Sequence, residues 1–282
     1  MAVEKKGREF WLALVQKYAL AMQDVPNELR DREMYLEAVQ RNGRALQYVP
    51  KKQRDREMCL LAVQQNWRLL EFVPKNLCDR ELYMAAVQQD GWRLRDIPVE
   101  LRDRELCLAT VQQKGGQLSF VPWELRDRDL CMVAVQRDGL ELKYVPEGLR
   151  DREMCLAAVQ QKGWPLHDVP EELRDREMCL TAVRQIGIAL EDVPDALRDR
   201  EMCLAAVQNT GWMLMHVPEE LRDRELCLEA VRQNGRALEF VPDSLKTREI
   251  CEVAVASDPE ARCFVPETYA DEAEEVASAP GM

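Results

Sequence analysis

The chain has 282 residues, of which 46% are hydrophobic and 32% are charged, so it can bury a substantial core and is not compositionally disordered. Its formal net charge of −12 at pH 7 argues against a general nucleic-acid binder or a binder of anionic membranes, because both need a basic surface. No stretch reaches the roughly 20 apolar residues that a membrane-spanning helix requires.

The sequence repeats itself every 24 residues, and the clearest copy of the unit spans residues 169–192. Each unit begins near a proline that follows Val or Ile, and positions are counted below from that proline. A period kept without insertion or deletion is typical of a solenoid, in which each unit contacts mainly its neighbours. Eleven prolines mark the period: Pro26, Pro50, Pro74, Pro98, Pro122, Pro146, Pro170, Pro194, Pro218, Pro242 and Pro266.

The first unit, residues 1–25, has a short apolar stretch that faintly resembles a signal peptide. However, Arg8 is in register with Arg32 one period later, and the residues around them match as well. We therefore interpret this segment as a first repeat that forms an N-terminal cap, closed by Phe10 and Trp11.

The first half of each unit predicts an α-helix from about position +5 to +16. Asp at +5 can cap its N-terminus, and apolar residues at +9, +10, +12 and +13 share one face, as in Cys179, Leu180, Ala182 and Val183. Gln at +14 and +15 is expected to be solvated. Gly at +17 is expected to end the helix in the left-handed conformation; this position holds Gly43, Gly91, Gly115, Gly139, Gly163, Gly187, Gly211 and Gly235.

The second half of each unit predicts a short α or 3₁₀ helix, antiparallel to the first, that buries Leu at +20 and Val at +23. The next proline cannot lie deep inside a helix, so a turn through Leu at +3 should follow. No run alternates with period two for long enough to form a strand. We therefore predict an all-α solenoid of about eleven units in a single domain, residues 1–266.

Two units depart from the pattern. Trp67 replaces the Gly at +17, and that helix is expected to end through Asn66 instead. Residues 243–266 place polar groups at core positions, which predicts a C-terminal cap without a further repeat to cover it. The acidic residues 267–282 are expected to form a disordered tail.

The chain resembles the helical repeat family catalogued as domain of unknown function 4116. The resemblance covers nearly all of residues 8–266 and rests on the Asp-Arg-Glu start, the Leu-Ala-Ala-Val run of 156–159 and the Gln-x-Gly-x-x-Leu ending. It implies an αα array and no established activity. A second resemblance is to leucine-rich-variant repeats, which are also 24 residues long and alternate α and 3₁₀ helices, but their characteristic spacing is not evident here.

Eight of the ten cysteines occupy position +9: Cys59, Cys107, Cys131, Cys155, Cys179, Cys203, Cys227 and Cys251. Stacked helices lie about 8–10 Å apart, too far for a disulfide, which needs Cα atoms within about 4.4–6.8 Å. We expect buried, inert thiols in a reducing compartment, by default the cytoplasm. A cysteine-based redox or metal-buffering device is the alternative. Cys78 and Cys263 lie off this row.

Arg-Asp-Arg-Glu recurs complete seven times, starting at Arg30, Arg54, Arg102, Arg150, Arg174, Arg198 and Arg222. A catalytic site needs a unique constellation, so we interpret the motif as a ladder of caps and ion pairs between repeats. A guanidinium row that recruits phosphate or carboxylate is the weaker alternative. His167 and His216 show no carboxylate and nucleophile partners. We expect no catalytic residue, no metal site and no cofactor, and hence no enzyme activity.

Sequence variety is concentrated at positions around the loops. The tryptophans at or near them are Trp67, Trp92, Trp123, Trp164 and Trp212. These rings could simply cover the hydrophobic layer between units, but tryptophan is also enriched at binding hot spots. Our leading hypothesis is a scaffold that binds a protein or peptide partner along this loop edge. The alternative is an architectural spacer or adaptor subunit of a larger assembly.

Overall fold

The computed structural model describes residues 7–89, 93–113 and 115–269. These residues form a periodic all-α solenoid without strands, as predicted. Their eleven α-helices are α1 (Arg8–Lys17), α2 (Arg32–Arg41), α3 (Arg56–Gln65), α4 (Arg80–Gln88), α5 (Arg104–Gln113), α6 (Arg128–Arg137), α7 (Arg152–Gln161), α8 (Arg176–Gln185), α9 (Arg200–Asn209), α10 (Arg224–Gln233) and α11 (Arg248–Ser257).

The second element of each repeat is a 3₁₀ helix, and a separate 3₁₀ turn follows the proline. The 3₁₀ helices are Ala19–Gln23, Gly43–Tyr48, Trp67–Phe72, Leu94–Asp96, Leu118–Phe120, Gly139–Tyr144, Trp164–Asp168, Gly187–Asp192, Gly211–His216, Gly235–Phe240 and Pro259–Phe264. The 3₁₀ turns are Asn27–Leu29, Lys51–Gln53, Lys75–Leu77, Val99–Leu101, Trp123–Leu125, Glu147–Leu149, Glu171–Leu173, Asp195–Leu197, Glu219–Leu221 and Asp243–Leu245.

The chain divides into two compact units, unit 1 (Met1–Arg137) and unit 2 (Asp138–Met282). Within each unit, α-helices of successive repeats pack side by side, as α8 does on α9. The single domain over residues 1–266 and its two caps stay predictions. The predicted disordered tail, residues 267–282, lies almost entirely outside the described residues.

The N-terminus of the α-helix forms as predicted. In α8, the carboxylate of Asp175 accepts a hydrogen bond of 2.9 Å from the backbone N–H of Met178. This contact satisfies one of the amide groups that a first helical turn leaves without a partner. The same cap recurs in other repeats, for example at Asp199.

The buried face of the α-helix is shifted by one position from the prediction. Met178, at +8, is fully buried together with Cys179, Ala182 and Val183, whereas Leu180 at +10 keeps 8% of its surface exposed. Positions +8, +9, +12 and +13 form two i, i+4 pairs on one stripe, so +8 belongs to the core and +10 lies at its margin. Leu at +20 and Val at +23 are buried as predicted.

The expectation of a left-handed glycine at the helix end is wrong. Helix α8 ends at Gln185, the next residue Ile186 has an extended backbone (φ −146°, ψ 114°), and Gly187 starts a 3₁₀ helix. A Cβ atom on Gly187 would lie 2.5 Å from the carbonyl oxygen of Ala206 in the next repeat. Glycine at this position therefore suits a close approach of two backbones and is not selected for its φ, although the repeat with Trp67 accommodates a side chain there.

The helix before Trp67 ends in the same way, so the expected special role of Asn66 is also wrong. Asn66 is extended (φ −157°, ψ 112°) and not left-handed, and its side chain accepts a hydrogen bond from the N–H of Arg68. Asn42, one repeat earlier, does the same for Arg44.

Gln at +15 is not merely solvated, as the sequence had suggested. The amide of Gln185 donates to the carbonyl oxygens of Val159 (3.1 Å) and Gln160 (2.9 Å) in the preceding repeat. In unit 1, the side-chain oxygen of Gln65 also accepts a 2.7 Å hydrogen bond from the N–H of Gly43. One amide side chain thus joins the ends of two successive helices.

Candidate functional site

The second arginine and the two acids of Arg-Asp-Arg-Glu form the predicted ladder between repeats. Arg176 donates through Nε to Asp199 (2.6 Å) and through Nη2 to Glu201 (2.6 Å) of the next repeat. In unit 1, the hydrogen bond from Arg104 lowers the pKa of the Asp127 carboxyl. These acids are paired and ionised, which suits a structural role rather than proton transfer.

The first arginine of the motif has a different role, which the sequence analysis missed. Arg174 donates to three backbone carbonyl oxygens: Val169 (2.9 Å), Asp192 (2.5 Å) and, in the preceding repeat, His167 (3.4 Å). Equivalent sets bind Arg54, Arg102, Arg150, Arg198 and Arg222.

A signal for this separate role was present in the sequence. Cys78 replaces the first arginine of one motif while Asp79, Arg80 and Glu81 persist, so the first position varies independently of the ladder. Backbone carbonyl oxygens of the chain accept hydrogen bonds from this row of guanidinium groups.

The cysteines at +9 are buried, and burial raises the pKa of the Cys179 thiol to about 11. A thiol with such a pKa stays protonated near neutral pH, and the thiolate is the reactive form. Cys78 is half-buried and hydrogen-bonds Tyr83, whereas Cys263 is exposed at +21. Within 7–89, 93–113 and 115–269, no group of three His, Cys, Asp or Glu side chains is placed to hold a metal ion.

Each histidine contacts a carboxylate that the sequence did not reveal. His167 Nδ1 lies 2.9 Å from Asp192 Oδ1, and His216 Nε2 lies 3.3 Å from Glu191 Oε1. Both pairs join successive repeats on the surface of the 3₁₀ helices. The hydrogen bond with Asp192 raises the pKa of His167.

The five singled-out tryptophans are divided between the two units and a segment outside the described residues. Trp67 and Trp123 belong to unit 1, Trp164 and Trp212 belong to unit 2, and Trp92 lies outside the described residues. Trp123 and Trp164 are 62% and 55% exposed, which leaves their rings available for contact.

The other two rings, Trp67 and Trp212, are half-buried. Trp212 packs edge-on against Phe240 of the next repeat, with ring centroids 4.9 Å apart. For Trp212, the alternative that the ring covers the layer between repeats therefore has direct support.

In unit 2, position +18 is apolar in four successive repeats, including two aliphatic residues that the sequence analysis passed over. We call these residues the apolar row: Leu140, Trp164, Ile188 and Trp212. Besides Trp164, Leu140 is 37% exposed. Since +18 lies at the start of the 3₁₀ helix, the row follows the surface of these helices.

In unit 2, exposed acidic residues occupy most of positions +1 and +2, in the turns after the prolines. We call these residues the acidic rim: Glu147, Glu171, Glu172, Asp195, Glu219, Glu220 and Asp243. None of these positions in unit 2 holds Lys or Arg, whereas unit 1 holds Lys51, Lys52 and Lys75 there.

An open depression of about 390 Å³ connects the rim with the 3₁₀ helices. It is lined by Asp195, Met215, His216, Glu219 and Glu220, among others. Acidic side chains and the apolar Met215, which is 40% exposed, therefore line one depression in unit 2.

No helix in the described part of the chain is both long enough and apolar enough to cross a bilayer.

A family model described as a domain of unknown function (DUF4116) matches seven overlapping segments: 8–54, 31–78, 55–102, 79–126, 127–174, 175–222 and 223–269. Neither curated proteins nor solved structures gave a match.

Proposed function

Since the chain belongs to the DUF4116 family, whose description assigns no activity, we propose a function from the surface of the chain. The protein is a non-catalytic scaffold that binds a protein or peptide partner. The contact surface is the turn edge, which we define as positions +18, +21, +22, +1 and +2. These positions belong to the 3₁₀ helices and to the turns after the prolines.

The observation that carries this proposal is the exposure of large apolar side chains on the turn edge, above all Trp164 at 55%. Contiguous exposed apolar groups mark interaction sites more often than singly scattered ones. Tryptophan contributes much of the binding energy of interfaces where it occurs.

A second observation supports the same surface. Arg at +4, the Asp-Arg-Glu ladder and Gln at +15 join the repeats from outside the turn edge. Side chains at +18 can therefore differ between repeats, as Trp164 and Ile188 do, while these contacts are kept.

Photo-crosslinking from single positions tests the proposal. A photoreactive amino acid replaces Trp164 on the turn edge or, as the matched control, the exposed Gln160 on helix α7. In cells that naturally express the chain, we expect a covalent partner from position 164 only. Equal products from both positions, or none from 164, would contradict the proposal.

The alternatives receive less support. Burial of the thiols at +9 argues against redox or metal buffering, since both need accessible thiolates. A purely architectural spacer needs no exposed apolar row. Free thiols persist in a reducing compartment, so we place the scaffold in the cytoplasm.

A further inference from the structure

We infer that the turn edge of unit 2 binds a basic amphipathic segment of a partner protein, with apolar side chains on the apolar row and Lys or Arg on the acidic rim. This inference rests on the proposed function and specifies the chemistry of the partner. It concerns unit 2 alone.

The apolar half of the surface offers one side chain per repeat. Leu140, Trp164, Ile188 and Trp212 occupy the same position in consecutive repeats, so their spacing follows the repeat. Trp212 is held against Phe240, while Trp164 and Leu140 keep 55% and 37% of their surface exposed. A partner that covers these groups removes apolar surface from water, at about 25 cal/mol per Å².

The acidic half is dominated by five exposed glutamates: Glu147, Glu171, Glu172, Glu219 and Glu220. The two aspartates of the rim also pair with a cation in their own turn, Asp195 with Arg198 at 2.9 Å and Asp243 with Lys246 at 3.0 Å. Both aspartates still expose most of their side chain, 88% and 93%. The rim therefore keeps carboxylates that a second cation can approach.

The depression near Met215 shows how one partner residue can use both halves. A lysine or arginine can lay its aliphatic stem along Met215 and extend its charged group to Glu219 or Glu220. His216 lines the same depression, and its ring contacts Glu191.

Charge complementarity selects this occupant over others. An anionic membrane or a nucleic acid would place phosphates against the glutamates, and the like charges would repel. In unit 1, Lys51, Lys52 and Lys75 occupy two of the five corresponding turns, which weakens the acidic surface there. The binding preference should therefore reside in unit 2.

Peptide binding to the full chain tests the partner class. The probe is a labelled amphipathic peptide of Leu and Lys; the control peptides exchange Lys for Glu or Leu for Ser. We expect each control to bind at least about tenfold more weakly by fluorescence anisotropy. Binding of the Leu-Lys peptide should weaken with added salt, which screens exposed charges. Failure of the Leu-Lys peptide, or binding to anionic lipid vesicles instead, would overturn the inference.

Charge exchanges at equivalent turns locate the site. The double variant Glu172→Lys, Glu220→Lys changes two +2 positions of unit 2, and Glu100→Lys, Glu124→Lys changes two +2 positions of unit 1. All four side chains are exposed, so both variants should keep the wild-type melting curve. We expect the unit 2 variant to lose about tenfold in affinity and the unit 1 variant less than about twofold.

Equal losses in the two variants would show general electrostatic attraction and overturn the inference. Trp164→Ser tests the apolar contribution, with an expected loss of about tenfold in affinity for the Leu-Lys peptide.

The photo-crosslinking experiment separates this inference from the proposed function. A crosslinked partner without a basic segment would end the inference and leave the scaffold function standing.

Discussion

At the scale of single residues, two side-chain positions decide how closely neighbouring repeats approach. Glycine at +17 leaves room for the carbonyl of the Ala at +12 in the next repeat, as Gly187 does for Ala206. Arginine at +4 fills the space between repeats and binds backbone oxygens on both sides, as Arg174 does. Both roles depend on the neighbouring repeat, so neither follows from helix propensity within one unit.

The first prediction concerns the close approach at Gly187. Gly187→Ala should destabilise the chain by about 1–3 kcal/mol, because the added methyl group overlaps a backbone carbonyl that cannot rotate away. Gly148→Ala is the matched control, since no atom lies within 4 Å of its Cβ position. Urea unfolding followed by circular dichroism measures both, and equal effects would exclude our account.

The second prediction concerns Cys78, at the position that holds Arg in most repeats. Cys78→Arg should stabilise the chain by about 1 kcal/mol or more, because a guanidinium can bind the carbonyls of Glu71, Val73 and Asp96. These carbonyls correspond to those bound by Arg102. Cys78→Ala controls for loss of the thiol. A destabilised arginine variant in urea unfolding would show that Tyr83 already uses this space.

The third prediction concerns His167. Its imidazole should titrate above the usual 6.5 in an NMR titration, because Asp192 favours the charged ring. Since the folded-state pKa is raised, the stabilising contribution is complete below pH about 6.5 and disappears as the pH rises through the folded value. Asp192→Asn should bring the pKa down towards the usual value. An unchanged pKa in that variant would show that Asp192 is not the cause.

At the scale of elements, the sequence predicted the α-helix better than the 3₁₀ helix. The Asp cap and the apolar periodicity lie within one repeat, so α8 was expected from about Asp175 and begins at Arg176. The end of the helix was misjudged because Gly187 and Gln185 act across the repeat interface. The candidate surface was predicted only through its tryptophans, since aliphatic residues such as Leu140 carry no local sign of exposure.

The fourth prediction concerns the cap of helix α6. Asp127 accepts hydrogen bonds from the Leu130 N–H (2.9 Å) and from Arg104 of the preceding repeat (2.5 Å). Asp127→Ala should cost about 0.5–2 kcal/mol, and Asp127→Asn less because its oxygen can still cap.

The pH dependence separates charge from capping at Asp127. Arg104 lowers the pKa of the Asp127 carboxyl in the folded state. The contribution of this carboxyl to the free energy of unfolding is therefore present above pH about 4 and is lost as the pH falls through the lowered folded-state pKa. Urea unfolding at several pH values should show a smaller loss in Asp127→Asn than in the wild type, because the other Asp–Arg pairs of the ladder remain. The same loss in both would contradict the ion pair as its source.

At the scale of the whole molecule, different positions of the repeat have different roles. Most thiols and aliphatic side chains of the repeat are buried. The Arg-Asp-Arg-Glu contacts connect successive repeats. The side chains of the turn edge differ from one repeat to the next. The fold followed from the period because every repeat buries the same positions. The partner does not follow from it, because recognition depends on the few positions that break the repetition.

The fifth prediction concerns the thiols of the whole chain. In the native protein, a thiol reagent should label Cys263 rapidly and Cys78 slowly, because these are exposed and half-buried, whereas the thiols at +9 are buried. Denaturant should release all ten. Rapid native labelling of most thiols would instead favour the redox or metal-buffering alternative.

The pairing of Gly187 with Ala206 has a consequence for how the length of this chain can change. Each junction within unit 2 is built from the same parts, so the segment from Pro170 to Val193 could be excised and the cut ends would meet as an ordinary junction. Loss of a number of residues that is not a multiple of the repeat length would move the glycine at +17 away from the alanine carbonyl. Insertions and deletions that preserve these junctions should therefore come in whole repeats of 24 residues.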